Sequence, residues 1–469
     1  MRRRSILAAF AALCVLSARP ADAGPPTEVF RFPGFGQVSV YAPMSTPSTV
    51  VLFVSGDGGW NLGVIPMAET LRDRGALVVG IDVRAFLTAL DATAECAYPA
   101  GSLEELSRAV QLRRRLPEYK RPILVGYSSG ATLVYAALAA APPDTFAGAI
   151  SLGFCPYLEI NHALCQERGL VATRRTKGAG YDLAPDRTLQ PPWMVLQGEV
   201  DQVCAPQATR AFVAAMSSAR LFSLPNVGHG FGVTRNWEAQ YIEAYRAIGA
   251  RPNPVPPAAS APEVRDLDLI EVVVPTSLRR GAMAIILTGD GGWSELDKEI
   301  ADGLAAHGIP AVGWSSLRYY WTARTPEIGA ADLARIIRYY ASAWIVNRVV
   351  LVGYSFGANV LPFLVNRLPA DVATLVQSVV LLGLSPNAAF EFRLASWFGG
   401  GGEPTYLTAP EVERLSVPVT CVHGVDERDS ACLALKGAHV TSAEVGRGHH
   451  FSGDYASLVE VILGAGGRR

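Results

Sequence analysis

The chain has 469 residues, half of them hydrophobic, with 18% charged and 9% aromatic, which excludes a disordered chain, a coiled coil and a disulfide-dense miniprotein. Lys and Arg (41) nearly balance Asp and Glu (42), so no bulk basic field points to nucleic acid. At roughly 150 residues per domain, the length predicts two or three domains, each able to bury its own core.

The N-terminus opens with Arg2, Arg3 and Arg4, continues through the apolar run Ile6 to Leu16, and reaches Ala21-Asp22-Ala23. A basic region, a short apolar region and an A-x-A site predict a signal peptide over residues 1–23. Its eleven apolar residues fall short of the roughly 20 needed to span a bilayer. No later stretch joins 18 or more apolar residues without charge, so the mature chain is expected to be exported, with no transmembrane segment. Removing residues 1–23 takes away four arginines and one aspartate, shifting the formal charge from −1 to −4. Cys14 leaves with the signal, and six cysteines remain: Cys96, Cys155, Cys165, Cys204, Cys421 and Cys432. An even count in an oxidising compartment favours disulfides. Cys421–Cys432 follows if the two halves do not cross-link, whereas the first four leave three connectivities open. No C-x-x-C or H-x-x-H spacing occurs, so neither a zinc site nor a cofactor is expected.

Further along, the same landmarks occur twice in the same order. Val50 to Val54 runs into Ser55-Gly56-Asp57-Gly58-Gly59-Trp60, as Ala284 to Leu287 runs into Thr288-Gly289-Asp290-Gly291-Gly292-Trp293. Ile123-Leu124-Val125 enters Gly126-Tyr127-Ser128-Ser129-Gly130, as Val349 to Val352 enters Gly353-Tyr354-Ser355-Phe356-Gly357. Gly228-His229-Gly230-Phe231 answers to Gly448-His449-His450-Phe451. The separations are 233 residues for Gly56 and Gly289, 227 for Ser128 and Ser355, and 220 for His229 and His449. That slow drift is what loop-length differences leave after a tandem duplication. A Pro/Ala-rich linker over 248–264 divides the copies, giving domains at 24–247 and 265–469. Continuous apolar strands alternating with helical patterns such as 331–340 predict an α/β fold twice over, each a mostly parallel sheet with helices on both faces.

In each copy G-x-S-x-G lies between an apolar strand and an apolar helix, the context of a nucleophile elbow. A serine hydroxyl needs a base to take its proton and an acid to orient that base, in the chain order Ser, acid, His. The first copy then offers Ser128, Asp201 and His229. The second offers Ser355 and His449, with a choice of acid. Counting from the glycine, Asp201 corresponds to Glu427; counting back from the cysteine, Asp201-x-x-Cys204 corresponds to Asp429-x-x-Cys432. Asp429 is preferred, with Asp426 and Glu427 as rivals. The glycine-rich turns fit oxyanion-hole amides, from Asp290 and Phe356 in the second copy and from Asp57 and Ser129 in the first.

LTGDGGW, WSSLRYYWTARTPE, GYSFGANVLPF and GHHFSGDY together resemble the VirJ domain, and the whole chain resembles the AcvB-type bacterial virulence proteins. The resemblance implies a periplasmic hydrolase that returns lysyl-phosphatidylglycerol to phosphatidylglycerol and lysine, an aminoacylated phospholipid substrate met at the membrane surface. The short VirJ relatives imply instead a link to type IV secretion-system proteins. On this reading Arg318 and Arg324 engage the lipid phosphate, and Tyr319, Tyr320, Trp321, Trp397 and Phe398 line a lipid groove beside a mobile Gly399–Gly402 loop. The first copy keeps its own candidate triad but lacks the SLRYYW block, so the second is expected to be the main lipid hydrolase, with the first modulating it or binding substrate or partner. A general carboxylesterase and a non-enzymatic secretion adaptor are the alternatives.

Overall fold

The computed structural model describes residues 25–61, 63–93, 96–142, 145–166, 168–249, 261–392 and 406–467. The expected signal peptide, most of the linker, and Trp397, Phe398 and Gly399–Gly402 lie outside these residues. The ends of the expected linker are structured: Ile248 and Gly249 finish the helix Glu238–Gly249, and Val264 is fully buried against the second half.

The first half supplies β1 (Glu28–Phe32), β2 (Gly36–Tyr41), β3 (Thr49–Val54), β4 (Ala76–Ile81), β5 (Ile123–Tyr127) and β6 (Gly148–Leu152). A small excursion follows, in β7 (Tyr157–Leu158), β8 (Ala172–Arg174) and β9 (Tyr181–Leu183), before β10 (Trp193–Gly198) and β11 (Ala219–Leu224). The second half supplies β12 (Leu269–Val272), β13 (Ala282–Leu287), β14 (Ala311–Trp314), β15 (Arg348–Tyr354) and β16 (Val376–Leu382). The hairpin strands β17 (Asn387–Ala388) and β18 (Tyr406–Leu407) precede β19 (Val419–His423) and β20 (Val440–Glu444).

The large sheets run β1-β2-β4-β3-β5-β6-β10-β11 and β12-β14-β13-β15-β16-β19-β20. Apart from the extra edge strand β1, the order is the same. Each is parallel except at the β1/β2/β4 and β12/β14 edges. Parallel strands are covered on both faces, and the side chains show it. Val50, Leu52 and Val54 of β3 enter one core and Val51 and Phe53 another; Met283, Ile285 and Leu287 of β13 likewise oppose Ala284 and Ile286. Each fully buried side chain of this size contributes about 1.5–3 kcal/mol. Among the described residues, no helix is long and apolar enough to cross a membrane.

The tryptophan that closes each glycine-rich turn packs on the neighbouring strand. A Cβ at Gly80 would lie 2.1 Å from Trp60, and one at Gly313 2.1 Å from Trp293. Each turn is thereby pinned beside its elbow. Three disulfides form: Cys96–Cys165, Cys155–Cys204 and Cys421–Cys432. All lie within one half, and they select one of the three connectivities open in the first.

The halves also touch. Trp321 Nε1 donates to the Leu116 carbonyl at 2.8 Å, and its ring packs 5.3 Å from that of Tyr119. Tyr119, with Leu112 packed beside it, therefore joins a hydrophobic core whose other buried residues come from the second half.

The elbow depends on its glycines. A Cβ on Gly357 would sit 2.2 Å from the Leu287 carbonyl oxygen and 2.6 Å from that of Thr288. Gly357→Ala is expected to destabilise the second half by about 1–3 kcal/mol through overpacking, while Gly464→Ala, with open space around its Cβ, leaves the melting transition in place. Scanning calorimetry checks both, and a Gly357→Ala chain melting with the wild type contradicts this packing.

Candidate active site

Each elbow serine caps a helix from a backbone conformation that side chains rarely adopt: Ser128 has φ 56° and ψ −122°, Ser355 φ 51° and ψ −114°. The turn places each hydroxyl at the carboxyl end of the sheet, where the loops after β10 and β19 bring the acids and those after β11 and β20 bring the histidines. In the first half Ser128 Oγ lies 2.8 Å from His229 Nε2, and His229 Nδ1 lies 2.9 Å from Asp201 Oδ2. Asp201 is buried and its carboxylate is well supplied with donors: the amides of Val203 and Cys204 reach Oδ1 at 2.8 and 2.9 Å, and Gln197 Nε2 reaches Oδ2 at 3.1 Å. The Cys155–Cys204 bridge ties this loop to the segment after β6. Asp201, Cys204 and His229 crowd together as metal ligands would, but the Cys204 sulfur is bonded to Cys155 and the imidazole bridges serine and carboxylate.

In the second half Ser355 Oγ lies 2.8 Å from His449 Nε2, and His449 Nδ1 lies 2.6 Å from Glu427 Oε1. The acid here is Glu427, not the preferred Asp429. Asp429 is exposed, and Asp426 turns away to accept from the Gly448 amide at 2.5 Å. Glu427 Oε2 accepts from the Gly424 amide at 2.8 Å, which fixes the carboxylate toward the ring. Counting from the glycine that ends the strand finds the acid. Counting from the cysteine fails because the second copy carries two extra residues between acid and cysteine, and because Cys432 bonds back to Cys421 of its own strand. Of the adjacent histidines, His449 meets the serine, while His450 Nδ1 lies 3.0 Å from the Tyr354 hydroxyl. Burial, reinforced by the nearby His449, lowers the pKa of His450. Gly383 lies under the His449 ring, where a Cβ would come within 2.7 Å of Cε1, and Gly153 serves His229 in the same way.

The glycine-rich turns abut the nucleophiles. A Cβ on Gly289 would lie 3.4 Å from Ser355 Cβ, and one on Gly56 3.0 Å from Ser128 Cβ. A hydroxyl residue anchors each turn, since Thr288 Oγ1 accepts from the Ser316 amide at 2.9 Å and Ser55 Oγ from the Val83 amide at 3.1 Å. Phe356 and Ser129 open their helices, where an amide has no intrahelical partner. These are positions from which the Asp290 and Phe356 amides, or those of Asp57 and Ser129, can meet a developing oxyanion.

Ser355, His449 and His450 open into a cavity of about 740 Å³ whose other wall comes from the first half, including Glu104, Arg108 and Arg168. Those of the expected phosphate and lipid residues that are described, Arg318, Arg324, Tyr319, Tyr320 and Trp321, are elsewhere. Arg318 faces Asp268 at 3.6 Å, and Arg324 lies over the Tyr319 ring with its Nε on the Tyr319 carbonyl. Tyr319 is buried, its hydroxyl 2.6 Å from Asp332 Oδ2, and Tyr320 packs on Phe356. Trp321 sits in the contact between the halves. The SLRYYW block is packing for the elbow helix and the domain boundary. No motif singles out the cavity's arginines, because they come from the other half.

A mostly parallel sheet with a strained serine between strand and helix, linked through histidine to a carboxylate, defines the α/β serine hydrolase class. The chain belongs to the bacterial virulence protein (VirJ) family, which it matches over residues 48–151 and 281–469. Solved structures similar to it include Est1E from Butyrivibrio proteoclasticus (12% identity, 48% of this chain and 98% of that one, TM-score 0.33). An α/β serine hydrolase without a lid from Xanthomonas campestris aligns at 21% identity over 48% and 94%, with TM-score 0.31. A thermophilic esterase from Thermogutta terrifontis aligns at 17% over 48% and 92%, with TM-score 0.33. No curated protein matches the chain.

Glu427→Gln keeps the shape but stabilises the wrong imidazole tautomer and is expected to lower kcat on an activated ester by up to about 10⁴-fold, whereas Asp429→Asn leaves it within about twofold. Both are measured in a Ser128→Ala chain, so that only Ser355 reports. Equal losses would remove Glu427 from its role.

Proposed function

We propose that the protein is a periplasmic serine hydrolase cleaving the aminoacyl ester of lysyl-phosphatidylglycerol, with Ser355, His449 and Glu427 as the working triad. The observation that carries this reading is the Ser355–His449–Glu427 relay facing a cavity whose lining carries two sets of paired charges, Arg108 held by Glu104 and Asp290, and Arg168 with Glu295 at 3.0 Å. The half-buried Arg168–Glu295 pair offers a guanidinium to a phosphate on the alcohol part and a carboxylate to an ammonium group on the acyl part of such a substrate. Three disulfides suit an oxidising compartment.

In this mechanism His449 takes the Ser355 proton as Oγ attacks the ester carbonyl, and Glu427 steadies the imidazolium. The Asp290 and Phe356 amides hold the oxyanion. The intermediate collapses to a lysyl-Ser355 ester, and His449 protonates the departing glycerol oxygen of phosphatidylglycerol. Water, deprotonated by the same histidine, then releases lysine and restores the serine.

Ser355→Ala is expected to abolish release of lysine from lysyl-phosphatidylglycerol vesicles, and Ser128→Ala to leave most of it; the reverse pattern assigns the reaction to the first half. Turnover of p-nitrophenyl esters without lysine release identifies a general carboxylesterase. Failure of a fluorophosphonate to label Ser355 identifies an adaptor that keeps the elbow as architecture.

A further inference from the structure

The cavity over Ser355 is closed by the helix Pro99–Arg113 of the first half, and one side chain of that helix reaches the oxyanion turn of the second. Arg108 is buried, with Nη1 donating to the Asp290 carbonyl oxygen at 2.9 Å and lying 3.2 Å from Asp290 Oδ2. Its Nη2 lies 3.1 Å from Glu104 Oε2, one turn back on the same helix. The guanidinium is thus clamped between its own helix and the backbone of the Gly289–Gly292 turn, holding a carbonyl and a carboxylate of one residue at once. Burial opposes its charge, but the carboxylates of Glu104 and Asp290 more than offset this and raise its pKa. Gly289 and Gly291 flank Asp290, so the turn has little side-chain packing of its own to resist rotation of its peptide planes. A buried cation on the Asp290 carbonyl supplies that resistance.

We propose that Arg108, contributed by the first half, is a positioning residue for the second active site: it holds the Asp290 turn so that its amide faces the oxyanion formed at Ser355. The proposal rests on the reading of Ser355 as nucleophile. It gives the first half a function in the second half's chemistry that does not pass through Ser128. Arg108 acts on a group that meets charge only in the transition state, so its loss falls on kcat rather than on KM.

The test uses the full-length chain carrying Ser128→Ala, with an activated p-nitrophenyl ester as substrate. Fluorophosphonate labelling of Ser355 in this background checks the parent reading; if that serine is inert, the hydrolase assignment falls. Where it is labelled, Arg108→Ala is expected to lower kcat by roughly 10- to 100-fold with KM nearly unchanged, the scale of a displaced oxyanion donor. Arg108→Lys keeps the charge but lacks the fork that spans Asp290 and Glu104 and falls in between; it decides the matter should the alanine variant not fold. Tyr119→Leu loosens the contact between the halves at Trp321 without touching the turn, and is expected to lower the melting temperature and keep kcat. An Arg108→Ala or Arg108→Lys chain with wild-type kcat overturns the proposal. So does a loss confined to KM, or an equal loss in Tyr119→Leu.

Discussion

The whole arrangement hangs on a backbone turn that a serine does not adopt willingly. A non-glycine residue held near φ +50° costs on the order of 1–3 kcal/mol and persists only where its surroundings over-determine it. Here the surroundings are glycines on both sides whose missing side chains let backbone meet backbone: Gly126 against Gly130, and Gly353 against Gly357 and Ala358. The strand enters, the helix leaves, and the hydroxyl stands where a histidine from a loop more than ninety residues away can reach it. Without that turn neither the imidazole nor its carboxylate has anything to act on.

The two copies keep this core and differ around it. Asp201 is buried and bound by three donors besides the histidine, in a loop bridged to the segment after β6. Glu427 is partly exposed, is oriented by the Gly424 amide, and lies in a loop bridged only to its own strand. A glutamate's extra methylene lets the carboxylate reach the ring from a loop with a different path. The first half gives the second a wall for its cavity, and the second gives the first a partner for Tyr119 and Leu116.

Much of this was legible in the chain. The repeated order of turn, elbow and histidine displays the duplication, and the strand-to-helix context of each G-x-S-x-G displays the fold. Ser128, Asp201 and His229 meet as spacing suggests, and so do Ser355 and His449. In the second copy Asp-x-x-Cys points to Asp429 and the histidine meets Glu427, because Asp-x-x-Cys is a pattern of loop lengths, whereas the distance from the strand end is what decides reach. The aromatic block at 316–321 reads as a lipid groove because aromatic and basic residues look alike in a groove and in a core; only packing separates them. Arg108 and Arg168 were invisible, since nothing in a linear pattern reports which helix of one domain faces the pocket of another.

The seam between the halves ties the design of one domain to that of the other. Here the helix Pro99–Arg113 buries Leu103, Leu106 and Val110 in its own domain while its neighbouring positions Glu104 and Arg108 border the other domain's reaction space. Its sequence is therefore constrained twice, once by the core of its own domain and once by the turn it meets in the other.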